Sequence, residues 1–287
     1  MSLRRRLGLI TLDYPTPQEC LEAVRDRGLG CMELYIDRSD DAEVRSLARW
    51  AARRDVEITA LSTLSKLGSA EVDLADHVAA VSRSIRLAGE LGIRRAGFMF
   101  GGSSDLGGRA ARRRFAERVL ALAEQAARCE VQLVVENVFT RSAGVDLESV
   151  EDIEDLMGAL PPHTVALTFD PANLAIAGED AYPYAYTRLR PHISAVHLKD
   201  VTRHVQQVHG ADPECRPLIE ARRGRSITVP LGEGSLNMRG LVQALRTEMP
   251  EVPLLLEPFR SGRSRERWLD RSLAFLSAEE EMIDALT

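Results

Sequence analysis

The sequence predicts a (β/α)8, or TIM, barrel, and three observations carry that expectation. Short apolar runs alternate with helical segments eight times within 287 residues. No Gly/Ser/Pro-rich linker interrupts the alternation, so residues 1–287 read as one domain. Four consecutive strand-like runs in the second half end in a residue that makes poor core: Glu136, Asp170, His197 and Glu257. In a barrel all strand C-termini open on one face, where active sites sit.

The elements follow in order. Leu7-Gly8-Leu9-Ile10-Thr11 is the first apolar run, and Thr16-Pro17 opens a helix to about residue 27, with Pro17 suited to its first turn. Cys31-Met32-Glu33-Leu34-Tyr35 is the second strand, and Ser39-Asp40-Asp41 caps a helix to about residue 54. A third strand covers 56–61. Residues 73–91 carry Val78, Val81, Ile85 and Leu87 at helical spacing. A strand over 95–100 leads through a glycine-rich loop to a helix over 109–128. The second half repeats the rhythm: strand 131–136, helix 147–160 stopped by Pro161-Pro162, strand 164–169, a helical region towards 189, and strand 193–198. The longest connection, 200–234, carries His204, His209, Arg222, Arg223 and Arg225. A helix over 235–249 with Ser235 as N-cap, strand 252–256 and a helix over 264–286 complete the chain. The competing architecture is an open doubly wound sheet. Its glycine fingerprint is missing from the first strand–helix turn, Asp13-Tyr14-Pro15-Thr16.

Composition narrows the function classes. The net charge of -6 disfavours a nucleic-acid binder, which needs a basic face. No apolar run reaches the roughly 20 residues of a membrane span, and no cleavage pattern follows the basic start. The four cysteines show no CxxC spacing and read as reduced thiols, which suits a cytoplasmic protein. Of 37 basic residues only Lys66 and Lys199 are lysines. Arginine does not replace lysine where a compact point charge is needed, which singles out both.

The strand ends carry the chemistry. Side chains alternate along a strand, so His197 and Lys199 share one face of 193–199. Glu136, Asp170, His197 and Glu257 end neighbouring strands and can converge on one cation. Three carboxylates and one imidazole suit one divalent metal ion, Mn2+ first, with Mg2+, Co2+ or Zn2+ also compatible. Lys199 can polarise a substrate oxygen or pair with Asp200. Glu33 can bind a hydroxyl or form a salt bridge. Gly232-Glu233-Gly234-Ser235 precedes a helix N-terminus, a place suited to anions or a simple turn. Trp50 and Trp268 lie in helices and read as packing.

Five motifs in order, Val134-Val135-Glu136-Asn137, Phe169-Asp170-Pro171-Ala172-Asn173, Val196-His197-Leu198-Lys199-Asp200, Pro230-Leu231-Gly232-Glu233-Gly234 and Leu256-Glu257-Pro258, resemble the sugar-phosphate isomerase/epimerase superfamily, the xylose-isomerase-like barrels. The resemblance implies that Glu136, Asp170, His197 and Glu257 are metal ligands. It also implies an enzyme acting on a small polyhydroxy carbonyl compound. The acidic charge and the lack of a long apolar run, not the resemblance, give the expectation of no nucleic acid and no membrane partner; a homo-oligomer is left open. Asn173 stands where the ketose 3-epimerase branch has a histidine. It joins Lys199, Glu33 and Lys66 as a substrate-binding candidate.

A metal chelating a carbonyl and a neighbouring hydroxyl acidifies the carbon between them. Glu136 and Glu257 would then be the acid/base pair. Returning the proton to the opposite face gives epimerisation, and returning it to the next carbon gives isomerisation. Loss of a β-hydroxyl gives dehydration, as in an inosose- or dehydroshikimate-type dehydratase. The isomerase or epimerase is the leading expectation, and a non-catalytic sugar-binding barrel is the alternative of another class. An apurinic-site endonuclease needs several metals and more than six histidines. The 200–234 connection is expected to cover the site, its arginines available to an anionic substrate.

Overall fold

The computed structural model describes residues 3–68, 74–101, 108–138, 149–211, 219–221, 224–259 and 262–284. Eight parallel strands close into a barrel in the order β1-β11-β7-β6-β5-β4-β3-β2. These are β1 (Leu7–Ile10), β2 (Cys31–Tyr35), β3 (Glu57–Lys66), β4 (Arg95–Met99), β5 (Gln132–Glu136), β6 (Val165–Phe169), β7 (Ile193–Leu198) and β11 (Leu254–Leu256). Three further strands, β8 (Asp200–Thr202), β9 (Ile219–Ala221) and β10 (Gly224–Val229), form a small antiparallel sheet in the order β8-β10-β9. The helices are α1 (Leu3–Arg6), α2 (Pro17–Asp26), α3 (Asp41–Ala52), α4 (Leu74–Leu91), α5 (Gly108–Arg128), α6 (Val150–Gly158), α7 (Pro171–Ala177), α8 (Tyr186–Leu189), α9 (Val205–Ala211), α10 (Met238–Glu248) and α11 (Gly262–Asp284). The molecule is a (β/α)8 barrel, as the strand–helix alternation predicts.

Local chemistry sets the helix starts. Thr16 caps α2 by accepting from the Glu19 amide, with Pro17 in the first turn. Asp40 and Glu43 form a capping box on α3. At α10 the cap is Asn237, accepting from the Gly240 amide, and not Ser235. The Ser235 hydroxyl instead donates to the Val201 carbonyl, 3.1 Å away, so the helix starts two residues later than its sequence suggests.

Strand alternation divides the barrel into two chemistries. Leu254, Leu256, Val196, Leu198, Val135, Leu167 and Phe169 join the large apolar core shared with the helices, where Trp268 is also buried. The alternate positions hold a smaller apolar group of Ile10, Cys31, Tyr35 and Leu255 and the polar side chains Glu33, Glu136 and His197. At the other end, Arg95, the first residue of β4, donates to Ser194 Oγ and the Thr59 carbonyl.

The connection after β7 is not an open loop. β8 pairs with β10, Asp200 opposite Val229 and Thr202 opposite Ile227, and α9 lies between them in sequence. Arg222 and Arg223 lie outside the described residues, and Arg225 is exposed on β10.

Candidate metal centre

The centre is built from four neighbouring strands. Glu136 is the last residue of β5, Asp170 follows β6, His197 lies near the end of β7 and Glu257 follows β11. In barrel order these strands run β11-β7-β6-β5, so the two glutamates flank the aspartate and the histidine. Glu136, Asp170, His197 and Glu257 each offer a ligand atom, and those atoms lie within 4.8 Å of one another. All four side chains are buried.

The imidazole is oriented by a residue from across the barrel. His197 Nε2 lies 2.8 Å from Glu33 Oε2 on β2. Ser62 Oγ donates to the other Glu33 oxygen. Gly97 makes that pair fit, since a Cβ there would sit 2.1 Å from Ser62 Oγ. With Nε2 engaged, Nδ1 faces Glu257 Oε2 at 3.4 Å and Glu136 Oε1 at 3.5 Å. Burial alone would lower the His197 pKa, but Glu33 and Glu136 outweigh it and raise it well above the ordinary value.

Asp170 is fixed by its own loop. Its Oδ1 accepts from the Asn173 amide at 2.9 Å and caps α7. Asn137 pairs with the Asp170 backbone in both directions at 2.8 Å. The Asn173 amide group donates to Glu136 Oε1 at 3.2 Å and to the Asn137 carbonyl at 2.9 Å. Burial raises the Asp170 pKa to about 6 against the pull of Lys199. Glu257, equally buried, is held down to about 2 by Lys199 and His197.

The remaining candidates fall in different places. Lys199 Nζ pairs with Asp170 Oδ2 at 2.7 Å and Glu257 Oε2 at 3.0 Å. Asp200 takes no part in that pairing. Its carboxylate instead accepts from the amides of Val201, Gly232, Gly234 and Leu236. The Gly232–Gly234 turn, which the sequence offers to an anion, is therefore filled by an internal one. A Cβ at Gly234 would sit 1.9 Å from Asp200 Oδ1. Lys66 is exposed, its stem against Gly101, and no described contact joins it to the cluster.

Sequence reasoning passed over Asn137 and Asp13. Asp13 follows β1, and one of its carboxylate oxygens is buried without a hydrogen-bond partner among the described residues. Burial and the nearby Glu257 raise its pKa to about 7. The usable signal was a carboxylate just past the end of the first strand.

The donor set fits a divalent cation. His197 Nδ1 is buried without a hydrogen-bond partner among the described residues, and Asp170 Oδ2 is met by the Lys199 ammonium; both face the centre of the carboxylate group. Three carboxylates with one imidazole suit Mn2+, Mg2+, Co2+ or Zn2+. A cavity of about 210 Å³ opens among the first three strand–helix loops, lined by Thr11, Tyr14, Tyr35, Asp37, Arg38 and Leu64. No helix among the described residues is long and apolar enough to cross a membrane.

Fold and cluster together define a barrel with a buried carboxylate–histidine group that could hold a metal ion at its strand C-termini. The chain belongs to the xylose isomerase-like TIM barrel family, whose sequence model matches residues 21–279. Among curated proteins it is similar to an inosose dehydratase of Lacticaseibacillus casei, 23% identical over 145 residues, 47% of each chain. The inosose dehydratase of Geobacillus thermodenitrificans (strain NG80-2) is 28% identical over 141 residues, 46% of each. The matches thus span about half the length of these curated relatives. Among solved structures, a D-tagatose 3-epimerase-like protein superposes with a TM-score of 0.73 at 15% identity, covering 97% of this chain and 99% of that one. The probable 3-DHS dehydratase AsbF of Bacillus anthracis, described as involved in petrobactin synthesis, gives 0.71 at 17% identity, covering 95% and 98%. At these identities the structural likenesses establish the fold.

Proposed function

We propose that this chain is a metal-dependent enzyme that enolises a small polyhydroxy carbonyl compound, and that isomerisation or epimerisation is its reaction. The single observation that carries the reading is the placement of Glu136 and Glu257, two buried carboxylates on either side of Asp170 and His197 in barrel order. A divalent ion held by Glu136, Asp170, His197 and Glu257 would acidify the carbon beside a chelated carbonyl and favour the enediolate form of the substrate. Glu136 and Glu257 are then the groups placed to take and return a proton on two faces. Asn173 and Lys199 hold those two glutamates in place.

A second reading is dehydration, with loss of a β-hydroxyl after the same proton abstraction. Two observations favour it. The curated relatives are inosose dehydratases. The two glutamates also have different surroundings: Glu257 is ion-paired with Lys199, whereas Glu136 accepts from the neutral Asn173 amide. Elimination asks for a base at the carbon and an acid for the departing hydroxyl, unlike roles that do not require two equivalent groups.

The test is NMR in D2O with Mn2+-loaded protein, quenched and freed of metal before recording. The panel holds ketohexoses, ketopentose phosphates, an inosose and 3-dehydroshikimate. Deuterium beside the carbonyl is expected for at least one compound. An epimer or isomer marks the first reading, and a product lighter by one water marks the second. No exchange across the panel with metal bound contradicts enolisation.

A further inference from the structure

Lys199 stands among the atoms that would hold a metal. Its Nζ is 2.7 Å from Asp170 Oδ2 and 3.0 Å from Glu257 Oε2, and both residues belong to the converging group of four. Lysine is almost never buried this deeply without a partner, and here it is 4% exposed. The pocket explains why. Glu33, Glu136, Asp170 and Glu257 bring four carboxylates into one buried volume, and like charges repel strongly away from water. Among the described residues, His197 and Lys199 are the basic side chains that contact them.

We propose that Lys199 is an internal counter-cation that competes with the divalent ion for Asp170 and Glu257, so that metal binding is an exchange. Asp170 and Glu257 would hold the ion with the carboxylates that the ammonium now shares, and the ammonium would give up both contacts. An ion held by these two carboxylates would lie close to Nζ, since metal–oxygen bonds are about 2.0–2.6 Å, and two cations that near each other in a buried pocket would repel. The ammonium has somewhere to go. The Phe259 ring centroid lies 5.8 Å from Nζ, within cation–π range. Phe259 is 51% exposed and holds a left-handed backbone, φ 52°, which costs energy for a bulky residue. Its backbone amide is bonded by Asp13, and the preceding Pro258 carbonyl accepts from Thr228 Oγ1 at 2.9 Å.

This inference rests on the metal-centre reading and adds what opposes the ion. A lysine that merely organised the two carboxylates would have the opposite effect on affinity, so the sign decides. Mn2+ binding is measured by calorimetry on the wild type and on Lys199→Gln and Lys199→Met. Both variants are expected to bind Mn2+ tighter by on the order of tenfold. Equal or weaker binding by the variants overturns the exchange. Absence of Mn2+ binding from wild type and variants alike removes the metal centre beneath it, which is a different result.

A second measurement needs no variant. Lys66 and Lys199 are the two lysines of the chain, so lysine labelled with 15N at Nζ gives one signal from each. The Lys199 ammonium protons are expected to exchange slowly with water before Mg2+ and to lose that protection as Mg2+ saturates, with Lys66 unchanged. Protection kept at saturating Mg2+ overturns the proposal.

Discussion

Glu33 Oε2 stands 2.8 Å from His197 Nε2, and this contact turns Nδ1 of the same ring towards Glu136 and Glu257. A carboxylate behind a ligating imidazole fixes its tautomer and orientation and raises its basicity. Glu33→Ala is therefore expected to weaken Mn2+ binding by about 10–100-fold. Glu33→Gln, which keeps an acceptor for Nε2–H, is expected to lose less. Calorimetric titration of both variants checks this. Equal affinity in Glu33→Ala and wild type would mean that the contact does not orient a ligand.

The two glutamates are assigned the proton transfers. Glu136→Gln and Glu257→Gln are each expected to slow solvent-deuterium exchange into substrate by a factor on the order of 10² or more. Metal content is measured on the same samples, because both residues are also assigned to the metal. Near-normal exchange by either variant with metal bound contradicts the two-carboxylate assignment.

Asp200 organises the strand-seven side of the rim. Its carboxylate accepts from four backbone amides, three of them in 232–236, so its removal leaves those donors without their acceptor. Asp200→Ala is expected to lower Tm by several degrees, and Asp200→Asn, which keeps one acceptor oxygen, by less. Thermal melts at neutral pH give the comparison; an unchanged Tm in Asp200→Ala would show that water replaces the carboxylate without loss.

Asp13 gives stability a pH dependence of definite sign. Burial and Glu257 raise its folded pKa to about 7, above the unfolded value of 3.8. The folded state thus holds this proton more tightly than the unfolded state. Its contribution is fully present below pH 3.8 and is lost as pH rises towards 7. Asp13→Asn, which removes the charge and keeps an acceptor for the Phe259 amide, is expected to melt a few degrees above wild type at pH 8 and no higher at pH 4. A constant Tm difference across that range would contradict the assignment.

What could be read from the sequence follows from periodicity. Glu136, Asp170, His197 and Glu257 were legible as a group because a parallel barrel brings every strand C-terminus to one face, whatever the details of register. Thr16-Pro17 and Asp40 were legible because capping acts within three residues. The Glu33–His197 contact spans 164 residues, and alternation says only that both side chains face inward. The sheet inside the 200–234 connection was missed for the same reason. β8 is three residues long, and its pairing with β10 crosses a stretch with no periodic signal. Ser235 was the expected cap; the Val201 carbonyl draws its hydroxyl away, and Asn237, which sequence reasoning passed over, caps the helix instead. Arg222 and Arg223, expected to meet an anionic substrate, fall outside the described residues.

The central claim is one divalent ion held by Glu136, Asp170, His197 and Glu257, and anomalous diffraction from crystals grown with Mn2+ tests it most directly. The account predicts one strong peak per chain at the strand C-termini. It should lie about 2.0–2.6 Å from His197 Nδ1 and from at least one oxygen of each of the three carboxylates. Well-ordered density for all four side chains with no anomalous peak between them, or a peak bound through His197 Nε2, would contradict it.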